Sequence, residues 1–338
     1  MAMRRVILTL LLALALAPGT FLRSASRPFD ERSILGAREL DVARPKLGEI
    51  TVEAVWELTT PNSHFGSYSA LVALDDGSLL AASDAGRYLR FDPSDAAIAP
   101  RFGRTGGDST TRKGLVDVEA MTRDPDSDTI WLAYEGTNTI ERRTSALELE
   151  AQVRPERMQA FGANSGAEAM TRLPDGRFVV LSEGPRNLFG SVHTGLVFDG
   201  DPTEGAKAQR FAIELADGFR PVDMATLPDG RVLILARKLV WGIPPGFRSR
   251  LLIADPRGLE EDAQWSGELL ADFGDALPQD NYEGLAVVPQ EDGSFVLWMI
   301  SDDNNATLQR TLLAKLRWVP KPDGSQAKQK ARSRATRP

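Results

Sequence analysis

The pentamer Glu-Ala-Met-Thr-Arg stands at 119–123 and again at 168–172, 49 residues later. Each copy precedes a polar turn and an apolar run that closes on an acidic residue and glycine: "EAMTRDPDSDTIWLAYEG" and "EAMTRLPDGRFVVLSEG". A unit repeated at near-constant spacing confines the chain to repeat architectures, because the apolar face of each unit can only be covered by a neighbouring unit. The plan recurs in "YSALVALDDGSLLAASDAG", "VDMATLPDGRVLILARK" and "YEGLAVVPQEDGSFVLWMISDD". Five copies therefore begin near 69, 119, 168, 223 and 283.

Four copies carry Asp-Gly, at 76–77, 175–176, 229–230 and 292–293, between two apolar runs. Tight hairpins need a residue at positive φ, which glycine adopts at little cost. The second copy has "DPDSD" there. The apolar runs are rich in Val, Ile, Leu, Phe and Trp and lack helical spacing, so they predict strands. A third strand follows in each copy, and a fourth in most, as in "AKAQRFAIEL" and "WSGELLADFG". Four antiparallel strands at this period predict an all-β fold, a β-propeller. The last copy ends at "LAKLRW" with no fourth strand, whereas "GEITVEAVWEL" (48–58) is a strand without a blade. It is expected to complete the last blade and close a ring of five over 48–318. A sixth blade would have to hide between Leu239 and Asp280.

The flanks differ. Arg4 and Arg5 precede an apolar run from Val6 to Ala17, the form of an export signal over 1–25, with cleavage near Ala17 or Ser26. Residues 26–47 are expected to be a linker, and 319–338 a disordered basic tail. The chain has a net charge of −7. With its two basic ends set aside, the body carries about −15, which argues against a nucleic-acid partner. There is no cysteine, hence no disulfide framework, thiolate metal site or cysteine nucleophile. A periplasmic or secreted monomer is expected, with no stable transmembrane span once the signal is removed.

Aligned on the small residue after the acid, the first strands open on Ser69, Glu119, Glu168, Asp223 and Glu283. The second strands close on Asp84, Glu135, Glu183, Arg237 and Asp302. In an antiparallel pair these two ends adjoin, so both rows should meet at one mouth of the central channel. Close carboxylates raise one another's pKa unless a cation balances them. Oxygen ligands, with only His64 and His193 in the chain, favour Ca²⁺, or Mg²⁺, over zinc. Asp84, Glu119, Glu168, Asp223, Glu283, Asp302 and Asp303 are the candidate metal ligands. Glu135 and Glu183 are candidate general bases. His64, Arg112, Lys113, Arg186, Arg237 and Lys238 are candidate handles for an anionic group, Arg237 equally a salt-bridge partner for its neighbours. Arg123 and Arg172, inside first strands, are expected to bridge blades. A rim of structural carboxylates that cap neighbouring blades is the competing explanation for the acidic rows.

"NYEGLAVV", "LWMISDDNN" and "QRTLLAKLRW", with "DVEAMT" and "GAEAMT" upstream, resemble the phytase-like family, described by esterase-like activity of phytase. The resemblance covers about 48–318. It implies an exported propeller acting on a small anionic or ester substrate, as a metal-dependent hydrolase of phosphate or related esters. A calcium-dependent lactone or carboxyl-ester hydrolase, and a non-catalytic periplasmic propeller binding a sugar, a cation-bound ligand or a protein partner, are the alternatives.

Overall fold

The computed structural model describes residues 2–16, 24, 28–94, 100–106, 113–162, 166–187, 190–242 and 245–321. Five small antiparallel sheets stand around one axis, forming a five-bladed β-propeller. Blade one runs from its inner strand Tyr68–Ala73 through Leu79–Ser83 and Arg87–Phe91 to Arg101–Arg104. Blade two is built from Val118–Arg123, Ile130–Tyr134, Thr139–Arg143 and Leu149–Val153. Blade three follows with Ala167–Arg172, Phe178–Pro185, Val192–Phe198 and Ala208–Glu214. Blade four has Arg220–Thr226, Val232–Val240, Gly246–Ala254 and Glu268–Asp272.

Blade five takes Asn281–Pro289, Phe295–Asp302 and Leu312–Trp318 from the end of the fold and Ile50–Thr59 from its start. Ile50 lies opposite Trp318, and Glu57 opposite Leu312. Lys315 pairs with Glu53 at 3.0 Å across this seam. The segment 26–47 is more than the expected linker. Gly36–Glu39 adds an outer strand to Ile50–Thr59, and Lys46–Leu47 pairs with its start. Both extend an edge that would otherwise present unpaired backbone groups. The stretch from Leu239 to Asp280 holds no sixth blade. It finishes blade four, and its two-residue strand Gln264–Trp265 adds in parallel to the edge of blade three.

Both faces of each blade are buried, which explains the continuous apolar runs. Successive residues of one strand serve opposite interfaces: Val232, Ile234 and Ala236 pack against blade three, whereas Leu233 and Leu235 pack against blade five. One apolar cluster fills each of the five gaps between neighbouring blades. The Asp-Gly turns behave as their chemistry requires, with φ of 82°, 88°, 87° and 81° at Gly77, Gly176, Gly230 and Gly293. Arg123 and Arg172 do bridge blades, to Asp75 of blade one and Asp124 of blade two.

The helix Ala2–Leu16 precedes this domain. No helix among the described residues is long and apolar enough to cross a membrane. Most of the basic tail, 322–338, lies outside the described residues, as do both expected cleavage regions in large part.

The seam between the ends of the domain should be indispensable. A chain lacking residues 48–58 exposes two inter-blade faces and is expected to lose its cooperative thermal transition, followed by calorimetry. A truncated chain that melts at the full-length temperature would contradict closure through this strand.

Candidate functional site

The inner strands begin at one mouth of the channel, and each begins with a β-bulge. Register shifts fall between Tyr68 and Ala70, Val118 and Ala120, Ala167 and Ala169, Pro221 and Asp223, and Tyr282 and Gly284. The unpaired residues are Ser69, Glu119, Glu168, Val222 and Glu283. A bulge re-aims the side chain it carries, and three of these five are glutamates.

Asp223 does not belong in this row. The shared turn "LPDG" fixes the register, so Met224 corresponds to Met170 and Asp223 to Ala169. Aligning on the small residue after the acid placed it one position out. Its carboxylate is fully buried and accepts the backbone N–H of Met224 at 2.8 Å and of Leu285 at 2.6 Å. A further bond to the backbone of Leu71 ties it to blade one. Burial still holds its pKa well above the usual range.

The second row arrives as expected beside the first. The Glu135 N–H donates to the Asp117 carbonyl at 2.9 Å and the Asp84 N–H to that of Ser67 at 3.1 Å, while Asp302 lies opposite Asn281 and Arg237 opposite Arg220. One carboxylate oxygen from each of Asp84, Asp117 and Glu119 comes within 4.8 Å of the others. Asp117 was missed from the sequence. Its signal is position: it lies two residues before the bulged Glu119, as Asn281 lies two before Glu283.

The other side of the mouth is balanced internally. Arg237 pairs with Glu283 and with Glu183, the latter at 3.1 Å, and donates to Asn281. Arg220 reaches the second oxygen of Glu183 at 3.3 Å. The Asn281 amide donates to Glu283 at 2.8 Å. Burial works against the charge of Arg237, but Glu283, Glu183 and Glu168 hold its pKa above the ordinary value. Arg237 is therefore a structural counter-ion at this mouth.

Acids of this mouth are pushed up by burial and by one another. Burial pushes the Glu119 carboxyl well up, and Glu168, Glu283, Asp117 and Asp84 push it further. Glu168 is likewise raised well above its ordinary value by burial and by Glu183 and Glu135. Asp302 is raised by burial, Glu283 and Asp84. Glu135 is raised, chiefly by burial, and accepts the Gly166 N–H at 3.3 Å. Asn138 offers a buried side-chain oxygen on the same side of Gly166 as Glu135, about where a Cβ would point.

Several expected residues have other uses. Asp303 is no candidate ligand: its carboxylate accepts the N–H groups of Ser67 and Asn305, both at 3.1 Å, and the Thr311 hydroxyl at 3.2 Å. Arg186 turns onto its own blade, donating to Thr194 and to the Phe211 carbonyl at 3.0 Å. The Lys238 ammonium lies 5.9 Å from the centre of the Phe219 ring. His64 sits near Arg87 and Arg104, which with burial lower its pKa. Arg112 lies outside the described residues, and Lys113 contributes its backbone to the short 3₁₀ turn Lys113–Leu115.

The family model described as "Phytase-like: Esterase-like activity of phytase" matches residues 63–305. No curated protein sequence matches. Among solved structures, a PQQ-bound aldose sugar dehydrogenase from Streptomyces coelicolor is similar at 13% identity and TM-score 0.43, over 85% of this chain and 100% of that one. Hydrazine synthase of Kuenenia stuttgartiensis is similar at 13% identity and TM-score 0.39, over 77% of this chain and 59% of that one. The β-propeller domain of Myceliophteria thermophila Cps50 (Swd1) is similar at 9% identity and TM-score 0.39, over 76% of this chain and 97% of that one. These likenesses carry nothing about chemistry.

The raised carboxyls set a direction for pH. Glu119, Glu168 and Asp302 ionise in the unfolded chain near 4.5, 4.5 and 3.8, and at higher pH in the fold. Their contribution to stability is full below those unfolded values and is lost as pH rises through the folded ones. In EDTA, the melting temperature should therefore fall as pH rises above the unfolded values, from about 4.5 upward. Glu119→Gln and Glu168→Gln should each flatten the slope. A melting temperature that rises over this range would show that the acids are balanced.

Proposed function

The chain belongs to the phytase-like family, and from that premise we propose that it is an exported, metal-dependent hydrolase of phosphate or related esters, working at the carboxylate-lined mouth. The observation that carries this reading is the convergence of Asp84, Asp117 and Glu119 within 4.8 Å. Three carboxylate oxygens suit a hard cation, calcium or else magnesium. The raised pKa of Glu119 fits such a site, since a bound cation would offset the repulsion of the acids around it. The helix Ala2–Leu16, apolar from Val6 onward after Arg4 and Arg5, supports export.

When bound, the cation would polarise a phosphoryl or carbonyl oxygen and acidify a coordinated water. Asp84, Asp117 and Glu119 would hold it. Glu135, with one oxygen on the Gly166 N–H, would take the proton from the attacking water. Glu183 is the weaker candidate for this step, because Arg237 and Arg220 each engage one of its oxygens. Burial and Arg237 would keep Glu168 and Glu283 fixed beside the reacting groups.

Two substitutions separate the roles. Glu119→Gln should weaken calcium binding by about tenfold or more, read by titration calorimetry, because it removes a charged ligand. Glu135→Gln should leave calcium affinity within about twofold and lower kcat on p-nitrophenyl phosphate or p-nitrophenyl acetate by roughly 10²-fold or more. Unchanged calcium affinity in Glu119→Gln removes the metal site. Calcium binding with no hydrolysis of either ester leaves the mouth as a cation-binding site without this chemistry.

A further inference from the structure

Beyond the acids, toward the opposite mouth, the channel widens into a cavity of about 630 Å³. All five inner strands line it, through residues such as Leu71, Thr122, Thr171, Thr226, Leu285 and Val287. The buried carboxylate of Asp223 stands between the two ends. Its three backbone donors, Leu71, Met224 and Leu285, all line the cavity, and it sits one register step from the acidic bulges. The cavity and the acidic mouth are thus separate chambers on one axis.

The walls are largely apolar. Their hydroxyls are turned to one another or to backbone: Thr171 and Thr226 share a hydrogen bond of 2.8 Å, and Thr122 accepts the Arg172 N–H at 3.0 Å. Charge gathers at the rim. Arg123 and Arg172 occupy the same register on adjacent inner strands, opposite Ile130 and Phe178. Both line the cavity, with side chains 20% and 19% exposed. Arg123 is paired with Asp75, and Arg172 with Asp124 at 3.2 Å. A guanidinium has five N–H donors, and each of these ion pairs engages only part of that fork. The pairs are neutral overall, yet donors remain that can point at the cavity.

A concave apolar space of this size with a few polar groups at one end has the form of a small-molecule site. Asp75 also lines the cavity, so its charged lining is two guanidinium groups against one carboxylate, which favours an anionic ligand over a cationic one. A wholly apolar one would leave the guanidinium donors unused. We propose that the cavity binds a small amphipathic anion, with an apolar body against Ala73, Ala225 and Val287 and a single carboxylate on Arg123 and Arg172. This site stands apart from the carboxylate mouth and from whatever chemistry occurs there.

Octanoate and 1-octanol, titrated into the full chain by calorimetry, test both halves of the claim. Octanoate should bind at one site. The double variant Arg123→Gln/Arg172→Gln should weaken octanoate by about tenfold or more, the effect of losing roughly one charge-assisted hydrogen bond. It should leave 1-octanol within about twofold of its original affinity. Ala225→Trp, which adds an indole at a position that lines the space, should abolish both, and Ala73→Trp gives a second such variant from another blade. Calcium titrations of the same samples should match the parent chain. The proposal fails if octanoate does not bind, if both filled variants still bind it, or if the arginine variant loses octanoate and octanol equally.

Discussion

The pairing of Ile50–Thr59 with Leu312–Trp318 is the interaction on which the rest of the molecule depends. Every blade buries apolar side chains on both faces, so an open row of five would leave two faces in water. Closure removes both, and it does so with backbone hydrogen bonds that also satisfy a sheet edge. It also fixes how close the inner strands come to the axis. The residue after each bulge must then be small, and Ala70, Ala120, Ala169 and Gly284 hold that position in four blades. A Cβ at Gly284 would lie 2.8 Å from that of Leu71 and 3.0 Å from the Ala70 carbonyl carbon, so even alanine is excluded there.

The same convergence concentrates charge. Strand ends are ordinarily solvated, and an isolated carboxylate at one costs little. Brought to a common mouth and covered by neighbouring blades, the acids raise one another's pKa. The ring answers this unevenly. Blade four supplies Arg237 where other blades supply acids, with Arg220 beside it, and Glu183 and Glu283 are tied to Arg237. Asp84, Asp117 and Glu119 lie on blades one and two, where the two rows read Ser69, Asp84, Glu119 and Glu135. The departure of one blade from the repeat thus sets a part of the mouth in which arginine is paired with glutamates beside a part where carboxylates of blades one and two converge.

Much of this was legible in the sequence because repeats compare a chain with itself. Blade number, the closing strand, the hairpin turns and the meeting of two acidic rows all follow from five copies laid side by side. The bridging roles of Arg123 and Arg172 followed from their place inside inner strands. Other features were hidden for physical reasons. Asp117 precedes the inner strand in a short turn, where no period marks which way it faces. Arg186 and Lys238 lie beyond their strands' core-facing positions, and only the course of the outer strands decides that they turn away from the axis. Strands Gly36–Glu39 and Lys46–Leu47 are too short and polar to show an alternating pattern, and they form only because an edge is waiting for them.

Asp223 shows how little separates a site residue from a structural one in such a fold. Across a bulge, one step along the chain exchanges the face that a side chain presents. At the bulged position an acid joins the mouth, as Glu119, Glu168 and Glu283 do. One residue later it faces the neighbouring inner strands, where backbone N–H groups rather than water or a cation must satisfy it. In blade four the bulge carries Val222, and the acid has moved to that next position. It binds the backbone of blades one and five, at residues that line the cavity. An apolar side chain there would leave those N–H groups without their acceptor, whereas a carboxylate satisfies three of them at once. The register of a single blade therefore both removes an acid from the mouth and supplies that acceptor.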